Sequence, residues 1–127
     1  MDLNQVTLPS VDLHISVPFY QLLGFKLIVH THSHYARFEC PNGGATFSLH
    51  HVDRAPSEPG IYVYFECEDL DRKVEELTAK GFNFKHPPTD QRWLWREARL
   101  LDPDKNQLIF YYAGKNRKNP PWRIQET

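Results

Sequence analysis

The sequence holds only two cysteines, one methionine and six glycines, and no long apolar run. Cys40 and Cys67 have neither metal-site nor redox spacing, so reduced thiols are expected. No apolar stretch approaches the roughly 20 residues of a membrane span, which argues against a membrane partner. The N-terminal "MDLNQVTLPS" lacks the basic region and apolar stretch of a signal peptide, so a cytoplasmic location is expected. Net charge is −1, and no basic block occurs before the tail "GKNRKNPPWR". That argues against nucleic acid as a partner. There is no nucleophilic triad and no phosphate loop. Asn42-Gly43-Gly44 reads as a hairpin turn.

What is present is an ordinary core-forming composition that repeats itself. Of 127 residues, 40% are hydrophobic and 24% charged, enough for one domain with a real core. "VDLHISVPFYQLLGF" reads as a helix. Asp12 is its N-cap, Leu13, Val17, Tyr20 and Leu23 form its apolar stripe, and Gly24 is its stop. "EDLDRKVEELTAKGF" repeats the pattern, with Asp69 as cap, Leu70, Val74 and Leu77 as stripe, and Gly81 as stop. A shift of 57 residues superimposes Asp12 on Asp69, Leu13 on Leu70, Val17 on Val74, Gly24 on Gly81 and Phe25 on Phe82. Strand-like runs at Gln5–Leu8 and Ile61–Glu66 precede the helices. Turn-containing strand pairs, through "CPNGGA" and "LDPDKNQ", follow them. Each half therefore reads β-α-β-β-β. Module one covers about 1–56, the turn-rich "SEPG" at 57–60 joins the halves, module two covers about 61–113, and a polar tail takes 114–127. Halves this short have little core of their own, so the two form a single domain.

The repeat and three of its stretches resemble the vicinal-oxygen-chelate superfamily of glyoxalases, bleomycin-resistance proteins and extradiol dioxygenases. The stretches are "VDLHISVPFYQLLGFKLIV", "ARLLDPDKNQLIFYY" and "EDLDRKVEELTAKGF". The resemblance runs from about Gln5 to Tyr112. It implies an α+β fold in which two tandem β-α-β-β-β modules form a cupped, barrel-like mixed sheet around a cavity. It also implies a homodimer, and in metal-using members four ligands on the first and last strands of the modules.

Carried onto this chain, those four positions are Gln5, Ser48, Tyr62 and Ile109. Glutamine is an acceptable oxygen donor. A neutral phenol is a poor one, since its pKa near 10 resists ionisation, and isoleucine has no donor atom. Two residues further along the strand face from Ser48 lies His50, which with Gln5 is the alternative metal pair. A stable divalent site needs three or four good donors, so no metal and no cofactor are expected. The alternative is one divalent ion. "VHTHSH" at Val29–His34 places three imidazoles on one side of a strand, but at a hairpin rim, where a solvated turn is expected.

Strand alternation brings Thr7, Thr46, Tyr64, Gln107 and Tyr111 to the same side as those positions. "QRWLWREAR" is read as a strand, with Trp93, Trp95, Glu97 and Arg99 on one face. Parity alone does not say whether that face is the inner one. The expected ligand-binding set is Gln5, Ser48, His50, Tyr62, Tyr64, Trp93, Trp95 and Tyr111. Such a lining suits a small planar or aromatic molecule held by stacking. The competing reading is a metal-dependent lyase, isomerase or dioxygenase, lactoylglutathione-lyase-like or dioxygenase-like, using Gln5 and His50. A metal-free enzyme with His50 or Tyr62 as general acid or base ranks last. The tail is expected to be loose, with Trp122 the one residue suited to anchoring it on a partner subunit.

Overall fold

The computed structural model describes residues 1–57 and 60–125, so the junction read at 57–60 lies partly outside the described residues. Each module has the expected β-α-β-β-β order. The first comprises β1 (Gln5–Ser10), α1 (Leu13–Leu23), β2 (Lys26–Thr31), β3 (Tyr35–Glu39) and β4 (Thr46–His51). The second comprises β5 (Tyr62–Glu66), α2 (Leu70–Ala79), β6 (Thr89–Asp90), β7 (Arg96–Leu101) and β8 (Gln107–Tyr112). The strands form two mixed four-stranded sheets of matching order, β1-β4-β3-β2 and β5-β8-β7-β6, neither of them closed. In the first sheet β1 runs parallel to β4, while β3 is antiparallel to both β2 and β4.

The helix signals act as their chemistry dictates. Asp12 accepts a hydrogen bond from the His14 backbone N–H at 2.9 Å, satisfying one of the free amides of the first turn. Gly24, at φ 109°, closes α1 in the left-handed conformation that a side chain would oppose. Asp69 caps α2 through the Arg72 N–H.

Two compact units emerge. The first contains Met1–Ile61 together with Leu101–Gln107, and the second contains Tyr62–Leu100 and the chain from Leu108 onward. In the first unit the alternate residues Leu8, Ala36, Phe38, Phe47 and Leu49 are fully buried on one sheet face, as are Leu13, Tyr20 and Leu23 of α1. Tyr20 sits among the rings of Phe47 and Phe25, at centroid distances of 4.7 and 5.7 Å. Burying each such side chain is worth about 1.5–3 kcal/mol. In the second unit Val63, Ala98, Leu100, Leu108 and Phe110 are buried on one sheet face, and Leu70, Val74 and Leu77 of α2 are buried with them.

The first unit also holds the turn between β7 and β8. The Asp102 carboxylate accepts the Tyr20 hydroxyl at 2.6 Å, the Asn106 Nδ2 at 2.8 Å, and the backbone N–H groups of Asp104 and Asn106. Asp104 accepts the Ser16 hydroxyl and the Val11 N–H, and Ser10 donates to Ser16. Burial pushes the Asp102 carboxyl above the ordinary range, and the hydrogen bonds from Tyr20 and Asn106 only partly offset it. Burial, then the nearby Asp102 charge, holds the Tyr20 phenol well above its usual value.

Tyr20→Phe leaves a buried carboxylate short of one donor, and we expect a loss of about 1–3 kcal/mol by urea denaturation. An unchanged midpoint would contradict this role. Because the folded-state pKa of Asp102 is raised, its contribution to stability is largest below the unfolded value near 4. It is lost as pH rises through the folded value and is flat beyond. The stability difference between wild type and Asp102→Asn should therefore change only in that acidic window.

Candidate functional site

In the first unit, the sheet face opposite the core is polar. Cross-strand partners place Gln5 beside Thr46, Thr7 beside Ser48, Arg37 beside Ser48 and Tyr35 beside His50. Ser48 is fully buried and shares a 2.6 Å hydrogen bond with Thr7, while Thr46 donates to Gln5 Oε1 at 2.8 Å. Gln5 and His50 are exposed. The Arg37 Nε donates to the Tyr35 hydroxyl at 2.9 Å, and its guanidinium lies 5.4 Å from the Tyr35 ring centroid. Burial raises the Tyr35 phenol, but the Ser48 hydroxyl and the Arg37 guanidinium together pull it below its ordinary value. Sequence reasoning put Gln5, Ser48 and His50 on one face, as found. It missed Tyr35 and Arg37, whose only signal was their place in the strand hairpinned to β4.

In the second unit, the corresponding face is aromatic. Trp95 stacks on Tyr111 at 4.6 Å with an interplanar angle of 22°, and Tyr64 meets both rings edge-on at 5.9 and 5.6 Å. Ile109, Tyr111 and Ala113 form a buried row beneath Trp95. Tyr62 and Tyr64, both in the expected ligand-binding set, are each 44% exposed. Glu97 and Arg99 share this face. The Trp93 Nε1 donates to Glu97 Oε2 at 2.9 Å, Arg99 Nη2 lies 3.7 Å from Glu97 Oε1, and the Arg99 guanidinium sits 5.7 Å from the Tyr62 ring centroid. Burial, then the Glu97 charge, raises the Tyr64 phenol, and burial raises that of Tyr111.

Two expectations need correction, one on Trp93 and one on the tail. Trp93 is not on a strand: β7 begins at Arg96, and Gln91–Leu94 make a tight turn closed by Leu94 N–H to Gln91 O, with Leu94 at φ 68°. Trp93 still reaches the site through Glu97. Trp95, Glu97 and Arg99 lie on the same face as the tyrosines, a placement that parity alone left open. The start of the tail is held in place. Glu66 Oε2 accepts the backbone N–H groups of Ala113 and Gly114 at 2.8 Å, and Trp95 Nε1 donates to Asn116 O. A short 3-10 helix follows at Gly114–Asn116, and Trp122 is 57% exposed.

The four metal-ligand positions implied by the resemblance carry side chains that do not suit a divalent ion. Gln5 Oε1 is engaged by Thr46 and the Ser48 hydroxyl by Thr7. The Arg37 guanidinium stands across from Ser48, and the Arg99 guanidinium lies over Tyr62. Both charges oppose a neighbouring cation. Ile109 is fully buried. Among the described residues no three His, Cys, Asp or Glu side chains converge. His30, His32 and His34 are exposed at the β2–β3 hairpin, with His32 at φ 46° in its turn. Ile109→Glu, which would give the fourth position an oxygen donor, should destabilise the fold by about 3 kcal/mol or more, because it buries an unpaired charge. A urea midpoint close to wild type would show that this position can host a ligand.

Residues 2–110 match the Glyoxalase/Bleomycin resistance protein/Dioxygenase superfamily. A protein from Mycolicibacterium smegmatis is 28% identical over 110 residues, covering 87% of this chain and 92% of its own. The crystal structure of a glyoxalase/bleomycin resistance protein/dioxygenase from Nocardioides shares the fold with a TM-score of 0.80 at 23% identity, over 98% of this chain and 90% of that one. A bleomycin-binding protein solved with bleomycin does so with a TM-score of 0.74 at 20% identity, over 88% of this chain and 98% of that one. With the repeated β-α-β-β-β topology and a family match over most of its length, this chain belongs to the glyoxalase/bleomycin-resistance/dioxygenase superfamily.

Proposed function

We propose that this protein binds a small planar or aromatic molecule on the aromatic face of its second sheet, without a metal ion or other cofactor. The observation that carries the reading is the array of Trp95, Tyr111 and Tyr64, which presents a half-exposed tyrosine edge beside a ready-made stack. A residue kept only to fill a core would not be left 44% exposed, as Tyr62 and Tyr64 are. Stacking supplies affinity for flat ligands at low conformational cost, and the flanking polar groups set orientation. The bleomycin-binding relative supports a binding role for the fold, although fold alone does not dictate function. No catalytic residue is assigned. The reading includes a homodimer, supported by the exposed Ile15, Leu22 and Ile28. Light scattering giving a monomer mass would remove that part.

The test is tryptophan fluorescence titrated with neutral planar compounds such as 2-naphthol and quinoline. We expect saturable quenching in protein stripped with chelator. Trp95→Ala or Tyr64→Ala should weaken binding by about 1–3 kcal/mol, or about 5- to 150-fold. Binding that appears only after a divalent metal is added would overturn the reading.

A further inference from the structure

The second sheet's aromatic face contains one group that stacking does not explain. Glu97 is 1% exposed and lies among tyrosines and tryptophans. One carboxylate oxygen, Oε2, takes the Trp93 indole N–H at 2.9 Å. The other, Oε1, is buried and has no hydrogen-bond partner among the described residues. Its nearest cation, Arg99 Nη2, stands off at 3.7 Å, beyond hydrogen-bond length. A buried acceptor left unsatisfied costs free energy, and folded proteins keep few of them.

Arg99 is a poor permanent partner. Its side chain is 32% exposed, and its guanidinium leans over the Tyr62 ring. Holding it there costs side-chain entropy for a contact that is too long to be a hydrogen bond. It is suited to being displaced by a group with the same charge and a better fit.

Resting on the proposed stacking site, we propose that Glu97 Oε1 is the anchor for a planar cationic N–H group of the ligand, of the amidine, guanidine or protonated amino-heterocycle class. The ligand's N–H donates to Oε1 and its flat face lies against Tyr64 and its neighbours. Arg99 swings outward to admit it. Cation–π attraction from the surrounding tyrosines favours the same charge sign. Trp93 is a positioning residue: its indole fixes the carboxylate rotamer so that Oε1 stays free.

The experiment compares benzamidine, benzamide and benzoate at neutral pH, read by tryptophan quenching of the full-length protein, with 2-naphthol as a neutral control. Benzamidine should bind at least about tenfold more tightly than benzoate, with benzamide between, as expected for a hydrogen bond to a charged group. Glu97→Gln, which keeps an acceptor for Trp93, should erase that preference. Should Glu97→Gln fail to fold, Arg99→Gln provides the second arm, because removing the competing cation should tighten benzamidine binding. Benzoate as the best ligand, an unchanged preference in Glu97→Gln, or weaker benzamidine binding in Arg99→Gln would each overturn the assignment and leave Oε1 to an ordered water. If 2-naphthol binds and the charged series shows no order, only this inference fails. If no aromatic binds at all, the stacking site itself fails with it.

Discussion

The buried carboxylate of Asp102 is a hydrogen-bonding hub among the described residues. It gathers the Tyr20 hydroxyl, the Asn106 amide and two backbone N–H groups around one charge. That closes the turn between β7 and β8 and secures it within the first unit. Turn geometry sets strand register, and a slip of one residue would exchange every side chain between the two faces. Glu97 and Ile109 would then trade places with Ala98 and Leu108. The aromatic face thus depends on a polar turn that lies outside it. The arrangement is costly, because burial raises the Asp102 carboxyl, and it is tolerated because the charge is surrounded by donors.

The two modules keep one topology and carry opposed chemistry. Gln5 and Thr7 of β1 correspond, 57 residues on, to Tyr62 and Tyr64 of β5. The first sheet's open face is a lattice of hydroxyls with one guanidinium, and the second's is a bank of rings with a buried carboxylate. The superfamily's name spans glyoxalases, resistance proteins and dioxygenases, as expected when one scaffold hosts different sites.

Much of the fold is legible in the sequence because the signals are local. Asp12, Asp69, Gly24 and Gly81 act through their immediate neighbours, and helical periodicity marks Leu13, Val17, Tyr20 and Leu23. The DPDKN turn is recognisable, but its partners Tyr20 and Ser16 are not, since they lie more than 80 positions away in the chain. Trp93 reads as a strand residue because the Gln91–Leu94 turn contains no glycine, proline or asparagine. Leu94 accepts a left-handed φ of 68° that nothing in its side chain announces. Glu97 and Arg99 had the right parity, but choosing their face required knowing where Tyr111 sits. Gln5 and Ser48 follow from the superfamily's ligand positions carried onto this chain, and alternation along β4 adds His50. Tyr35 and Arg37 needed the cross-strand register.

The most direct test of a metal-free aromatic site is metal content. Chelator-stripped, untagged protein would be reloaded with nickel, zinc, manganese or ferrous iron, desalted and measured. Near-zero retained metal per chain is the result expected when Ile109 offers no donor, Tyr62 a poor one, and Ser48 is already engaged by Thr7. About one tightly held ion per chain, lost in Gln5→Ala or His50→Ala but kept in His32→Ala, would contradict it and make the protein a metal-dependent member of its superfamily.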